Sequence, residues 1–187
     1  MSSATERPVA TLDDLARVDG KAELIGGRIV HLMPTGFWPG AVGGEIYSSL
    51  KDHARAINRG RASTDGVGYN VPELPSGRES FCPDASYFDG LLPAKWMRFV
   101  EGPPTFAVEV RSENDYGPAA EREMAAKRLD YFAAGTKVVW DVDPEAECVF
   151  AYKADSPDRP VTFLKGQVAD AEPAVPGWRI AVDDLFA

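Results

Sequence analysis

Apolar and polar positions along this chain follow two different periods, which predict both helices and strands. From Pro39 to about Ile57 the apolar residues recur every three or four positions, a spacing typical of an amphipathic helix. Residues 22–25 and 28–33 are strand-like runs. Gly26-Gly27 between them readily adopts the positive φ angles of a tight turn, so the two runs predict a hairpin.

Helix and strand signals continue along the rest of the chain. Thr11 is suited to cap a short N-terminal helix, and Pro118 and Gly135 are suited to begin and end a longer one. Strand patterns cover four further stretches, residues 61–71, 79–88, 106–110 and 137–152, and an apolar C-terminal segment follows them. This order predicts an α/β (α+β) fold with a mixed sheet flanked by helices, an N-terminal helix and hairpin, and a C-terminal strand extension.

Length and composition predict one domain over residues 1–187, since a chain of this size buries a core without disulfides. Apolar runs stay well below the roughly 18 residues that span a bilayer. The first residues also lack the basic and apolar regions of a signal peptide. We therefore expect a cytoplasmic protein with no membrane partner.

The formal net charge of −9 opposes broad, charge-driven binding to nucleic acid. One stretch is an exception, because basic residues concentrate between Lys51 and Arg61. Its candidate nucleic-acid-binding residues are Lys51, Arg55, Arg59 and Arg61. A basic helix end is usually solvated surface, but it is also where a phosphate backbone could lie.

Two carboxylates stand out because they interrupt apolar runs. Asp84 follows Pro83, and Glu109 lies in the middle of the strand pattern 106–110. Proline inside a strand marks an edge, a start or a bulge, so the chain is expected to bend at Pro83 and aim Asp84. Side chains alternate along a strand, so Glu109 and Arg111 should share one face. Spacing alone leaves two interpretations open, a nuclease site or a structural ion pair between Glu109 and Arg111.

Several segments in a fixed order resemble a known family. They are residues 22–29, Pro83-Asp84, residues 106–112, residues 127–135, residues 140–144 and residues 175–178. Together they resemble the Uma-two family, a branch of the PD-(D/E)XK, restriction-endonuclease-like superfamily, over nearly the whole chain. The resemblance implies a restriction-endonuclease-like fold and a metal-dependent endonuclease that hydrolyses phosphodiester bonds.

The resemblance also implies roles for individual residues. Asp84 and Glu109 correspond to metal ligands, Lys127 to a catalytic lysine that has moved from the strand to the following helix, and Glu23 to a further acidic residue of the site. Arg111 stands where the superfamily usually has a strand lysine, and it joins the candidate catalytic residues. A second departure is the lack of a histidine near the helix start at Pro39.

Two carboxylates about 4 Å apart repel by roughly 4 kcal/mol at an effective dielectric near 20, so a cation between them would neutralise the repulsion. Mg²⁺ or Mn²⁺ suits an all-oxygen ligand set. The expected partners are nucleic acid, with DNA favoured over RNA, and a second copy of the chain in a homodimer. A non-catalytic, dimeric binding or regulatory module on the same fold stays open as the alternative.

Overall fold

Six strands form the central sheet of the protein, which a computed structural model describes over residues 9–187. The helices are α1 (Leu12–Leu15), α2 (Phe37–Ala56), α3 (Pro118–Ala134) and α4 (Val182–Leu185). The strands are β1 (Ala22–Ile25), β2 (Arg28–His31), β3 (Arg61–Thr64), β4 (Tyr69–Asn70), β5 (Ser80–Phe81), β6 (Ala85–Phe88), β7 (Val100–Glu101), β8 (Phe106–Val110), β9 (Val138–Asp143), β10 (Cys148–Lys153), β11 (Ser156–Leu164), β12 (Val168–Asp170) and β13 (Arg179–Ala181).

The central sheet is mixed, as the sequence predicts. Its strand order is β11-β10-β9-β8-β6-β3, in which β8 and β9 run parallel and every other pair is antiparallel. Parallel neighbours need a crossover connection, and α3 supplies it. Pro118 lies in the first turn of α3, and Gly135 ends the helix with a left-handed φ of 112°. The predicted fold class is confirmed.

Alternation along β8 divides its side chains between two cores. Phe106, Val108 and Val110 pack in the cluster that contains the buried residues of α2. Ala107 packs in the other cluster, with Tyr131 of α3. Glu109 therefore faces α3, because residues two apart on a strand share a face. This separation leaves the α2 face of β8 apolar and places the carboxylate beneath the crossover helix.

The predicted N-terminal hairpin is confirmed, and it docks beside the bend that precedes β6. Gly26 and Gly27 have φ angles of 55° and 66°, as a tight two-residue turn requires. The Leu24 amide donates to Ser80 Oγ at 2.7 Å, and the Glu79 amide donates to the Leu24 carbonyl at 2.9 Å. These bonds connect β1 to β5 and bring residues 21–25 close to Asp84.

The strands differ from the sequence prediction in several places, and the run 61–71 is divided between β3 of the central sheet and the short β4. The run 79–88 is divided into β5, in a three-stranded sheet, and β6, in the central sheet, and the break falls at Pro83 as expected. The strand β11 was not predicted. It contains Pro157 and Pro160, and its side chains are mostly exposed, which hides the usual strand pattern. Proline is tolerated there because β11 lies at the edge of the sheet.

The C-terminal segment packs back on the domain, as its apolar residues predict. The Trp178 ring lies 5.1 Å from the Trp140 ring and 5.7 Å from the Phe106 ring, measured between centroids. The predicted homodimer stays a prediction. Within residues 9–187, none of the helices is both long and apolar enough to cross a bilayer.

Candidate active site

A cavity of about 500 Å³ opens between the β1–β2 hairpin, the ends of β6 and β8, and α3. Its charged lining consists of the acids Glu23, Asp84, Glu109, Asp115, Glu123 and Asp141 and the bases Lys21, Arg78, Arg111 and Lys127. Six acids against four bases leave an excess of two negative charges around a concave site. Such a site concentrates cations, because low-dielectric walls focus the field of the lining charges.

Asp84 lies at the start of β6, next to the carboxyl end of β8. Its Oδ2 accepts a hydrogen bond from the Val110 amide at 2.8 Å, and its Oδ1 lies 2.8 Å from Lys21 Nζ. Val110 directly follows Glu109, so the two candidate metal ligands come from neighbouring strands and face the same cavity. Lys21 Nζ also lies 2.6 Å from Asp65 Oδ1, so it bridges two carboxylates.

Glu109 is held from the helix side. Lys127 Nζ lies 2.9 Å from the Glu109 carboxylate, and the Tyr131 hydroxyl donates to Glu109 Oε1 at 2.6 Å. Lys127 and Tyr131 are four residues apart on α3, so they lie on the same side of that helix. Burial raises the pKa of Glu109, Lys127 lowers it, and Asp84 raises it again, with a net pKa above the ordinary value. A nearby cation would therefore stabilise the ionised form.

Glu23 lies deeper than the other two carboxylates and is almost fully buried. It forms an ion pair with Arg78, accepts a hydrogen bond from the Cys82 amide at 3.0 Å, and lies 3.2 Å from Lys127 Nζ. Burial favours a higher pKa for Glu23, but Lys127 and Arg78 outweigh it, and the net pKa falls below the ordinary value. Glu23 is thus an ionised anchor for two basic side chains.

Lys127 is the point where these contacts meet. Burial acts to lower its pKa, but Glu109 and Glu23 act more strongly in the other direction, and the net pKa lies above that of a free lysine. Lys127 therefore carries a positive charge at neutral pH and acts as a hydrogen-bond donor, not as a base. The catalytic role that the resemblance implies for Lys127 predicts that its amine approaches Asp84 and Glu109 together. In the structure Lys127 contacts Glu109 and Glu23, and Asp84 is bound by Lys21.

Arg111 takes part in a separate ionic cluster beside the cavity. Its guanidinium contacts both carboxylate oxygens of Asp141, at 2.8 and 2.9 Å, and reaches Glu121 of α3 at 2.5 Å. Asp141 also accepts from Arg128 at 3.0 Å. The structural ion pair considered between Glu109 and Arg111 is replaced by these contacts. Arg111 thus joins β8, β9 and α3, and Glu109 is left to Lys127.

The candidate nucleic-acid-binding residues lie away from the cavity. Lys51, Arg55 and Arg61 surround a shallow depression at the C-terminal end of α2, whereas Arg59 pairs with Asp89 at 2.6 Å. Thr64, at the other end of β3, pairs with Ala85 next to Asp84. Arg61 lies three residues from Thr64 along β3, a distance of about 10 Å.

Sequence reasoning missed two basic residues of the site, Lys21 and Arg78. Lys21 stands two residues before Glu23, at the entrance to β1, so strand alternation places both side chains on the same face. That spacing could have identified Lys21 as a site residue from the sequence. Arg78 follows the turn before β5 and reaches both Glu23 and Asp130 of α3. Only the docking of the hairpin on β5 brings it there, and no local pattern predicts that contact.

The cysteine and histidine residues are structural or surface side chains. Cys82 is buried, and burial raises the pKa of its thiol to about 11, so the thiol is neutral at pH 7. His31 is exposed, and a ring nitrogen of His53 lies 3.0 Å from the Pro176 carbonyl. None of these side chains takes part in the carboxylate and lysine cluster.

The donor set at the cavity fits a hard divalent cation. Among residues 9–187, no three His, Cys, Asp or Glu side chains converge in the manner of a metal cage. Mg²⁺ needs no such cage, because it keeps several waters and is usually bound through one or two carboxylates together with substrate phosphates. Asp84 and Glu109 offer oxygen ligands of this kind, next to an excess of negative charge.

Comparisons with known proteins support the fold and identify the family. The model of the Uma2 family, described as "Putative restriction endonuclease", matches residues 9–183. A crystal structure of a "putative nuclease belonging to DUF820" from Anabaena variabilis superposes with a TM-score of 0.72 at 21% identity, covering 94% of this chain and 97% of that chain. No curated protein matches the chain. Since the family model spans all but a few of the 187 residues, the chain belongs to the Uma2 family of restriction-endonuclease-like proteins.

Proposed function

We propose that this protein is a metal-dependent endonuclease that hydrolyses phosphodiester bonds in nucleic acid, with DNA as the favoured substrate. One observation carries the proposal. A charged lysine, Lys127, lies between Glu109 and Glu23 in an acidic cavity that also contains Asp84. Family membership supports the nuclease class, and the position of Lys127 on α3 fits the lysine that the sequence resemblance implies.

Asp84 and Glu109 would hold the ion, Mg²⁺ or Mn²⁺, and Glu23 would add negative charge behind them. When bound, the ion acidifies a water molecule and neutralises charge on the phosphate oxygens. The hydrogen bond from the Val110 amide fixes the Asp84 carboxylate, and the Tyr131 hydroxyl fixes that of Glu109. Both ligands are therefore positioned before substrate arrives, which lowers the reorganisation that the reaction requires.

Lys127 would supply a fixed positive charge and a hydrogen-bond donor toward the reacting phosphate and its attacking water. Glu23 lies behind Lys127 and keeps it charged, and Glu109 connects it to the ligand pair. Charge that develops on the phosphate oxygens would then meet a group already oriented in a partly buried site. Electrostatic stabilisation of this kind often accounts for a large share of catalysis.

Arg111 would act as a positioning residue. It joins Asp141 of β9 to Glu121 of α3 and so keeps α3 at a fixed distance from the sheet. Lys127 lies on the same helix, within two turns of Glu121. Arginine holds its proton too tightly to take part in proton transfer, so the contribution of Arg111 is to place Lys127.

Nucleic-acid binding is expected to be weak and only shallowly dependent on salt. Lys51, Arg55 and Arg61 are available for phosphate contacts, and Arg59 is already paired with Asp89. About three phosphate contacts give a slope of roughly −3 for log K against log salt on duplex DNA. Fluorescence anisotropy of a labelled duplex over a salt series measures this slope. Replacing Lys51 and Arg61 with alanine should reduce it to about −1, whereas an unchanged slope would place the phosphate contacts elsewhere.

A nuclease assay with Mn²⁺ tests the proposed function directly. The wild type should cleave DNA, and EDTA should abolish the cleavage. Asp84→Ala should lower the rate by at least about a hundredfold, since loss of outer-shell support alone often costs ten- to a hundredfold. Asp158→Ala removes an exposed carboxylate on β11 and is the matched control, with an expected rate close to wild type.

RNA is tested in parallel, so that the favoured substrate is determined by rate. Absence of cleavage on both substrates, together with absence of Mn²⁺ binding that depends on Asp84, would contradict the proposal. The non-catalytic binding module would then be the better description of this chain.

A further inference from the structure

The Asp84 carboxylate is already paired with a cation of the protein itself, the Lys21 ammonium. Lys21 Nζ lies 2.8 Å from Asp84 Oδ1 and 2.6 Å from Asp65 Oδ1, in the same cavity as Glu109. The Lys21 and Asp84 side chains are 16% and 13% exposed, so water screens this ion pair far less than a surface pair. The Lys21 ammonium therefore occupies one of the two Asp84 oxygens, and the Val110 amide binds the other.

The two lysines of the cavity bind different carboxylates. Lys127 contacts Glu109 and Glu23, whereas Lys21 contacts Asp84 and Asp65. Lys127 is thus explained by the proposed reaction, but Lys21 is not. Two positive charges within a few ångströms repel each other strongly at the low effective dielectric of a cavity. The Lys21 ammonium therefore weakens the binding of an ion to Asp84 as long as both contact that carboxylate.

We propose that Lys21 is an internal counter-cation that competes with the divalent ion for Asp84, so that metal loading requires the Lys21 side chain to move away from Asp84. The proposal rests on the metal site of the proposed function. Asp65, with a side chain 46% exposed, gives the ammonium a second partner that it keeps after it leaves Asp84. The Lys21 carbonyl accepts from the Leu32 amide at 2.9 Å, so the backbone is fixed and the side chain makes the movement.

This arrangement has two consequences for the metal-free protein. The Lys21 ammonium removes the repulsion that Asp84 would otherwise experience from Glu109 and Asp65. It also weakens metal binding, because the incoming ion must replace an existing ion pair. If Lys21 had only a structural role, its removal would leave the metal affinity unchanged or would reduce it through loss of order at the site.

Isothermal titration of Mn²⁺ into the full-length protein tests the competition without relying on cleavage. Lys21→Met should bind Mn²⁺ at least about tenfold more tightly than wild type, because the competing charge is gone. Lys165→Met is the matched control. It also removes a lysine from an ion pair, with Glu147 at 3.0 Å, but on an exposed surface away from the cavity, so its Mn²⁺ affinity should equal that of wild type.

A thermal melt of each variant establishes that it is folded, and Lys21→Gln replaces Lys21→Met if the latter does not fold. Wild-type binding that depends on Asp84, with equal or weaker binding by the Lys21 variant, would overturn the role of Lys21 and leave the proposed function in place. Absence of Asp84-dependent binding in the wild type and in the Lys21 variant alike would overturn both.

Discussion

Lys127→Met should reduce Mn²⁺-supported cleavage by about 10²- to 10³-fold while the protein still folds and still binds the ion. The magnitude follows from the typical cost of removing one preorganised donor that stabilises transition-state charge. Methionine keeps most of the length of the side chain and removes its charge. The carboxylates Glu109 and Glu23 then lose a cation 2.9 and 3.2 Å away, so affinity for Mn²⁺ should hold or rise.

Arg122→Met is the matched control for this experiment. It removes one positive charge from the same helix at an exposed position, so it changes the net charge equally without touching the cavity. Its cleavage rate should stay within a few-fold of wild type. Single-turnover rates at saturating Mn²⁺ separate the chemical step from ion binding. If Lys127→Met kept the wild-type rate, the catalytic positive charge would have to come from another group, and Lys21 is the next candidate in the cavity.

Local patterns predicted many of the helices and strands that surround this site, because such patterns act over short distances. The two glycines of the hairpin, the cap residues of α3 and the alternation along β8 each depend on a few neighbouring residues. Glu109 on a strand and Lys127 on the following helix are joined by one crossover, so their meeting follows from the order β8-α3-β9. The bend at Pro83 similarly explains how Asp84 reaches the same end of the sheet.

The remaining contacts depend on docking between distant parts of the chain. Arg78 meets Glu23 because β1 packs beside β5, and Lys21 meets Asp84 across 63 positions of sequence. Glu109 lies two residues from Arg111 in sequence, but tertiary packing selects Asp141 and Glu121 as the partners of Arg111. The edge strand β11 was missed because its exposed side chains carry no burial pattern. Interactions of this kind need the three-dimensional arrangement, since single-sequence patterns do not contain it.

Arg111→Met should destabilise the protein, with a loss of about 3 kcal/mol in the free energy of unfolding. Arg111 is almost fully buried, and so is its bidentate partner Asp141. Removing one member of a buried pair leaves the other as an uncompensated charge, which typically costs 3–5 kcal/mol. We expect the lower end of this range because Arg128 still contacts Asp141 at 3.0 Å. Urea unfolding followed by the fluorescence of the buried Trp140 and Trp178 measures the change.

We expect the loss of stability to depend more on the burial of the ion pair than on its hydrogen-bond geometry. The exposed ion pair of Arg59 provides the comparison. Arg59 contacts both carboxylate oxygens of Asp89, at 3.0 and 2.6 Å, but its side chain is 60% exposed. Arg59→Met should therefore leave the urea midpoint nearly unchanged, because water solvates the Asp89 carboxylate once the partner is removed. Adding Asp141→Asn to Arg111→Met should recover part of the lost stability, since it removes the stranded charge. Equal losses for Arg111→Met and Arg59→Met would contradict a buried ionic connection between α3 and the sheet.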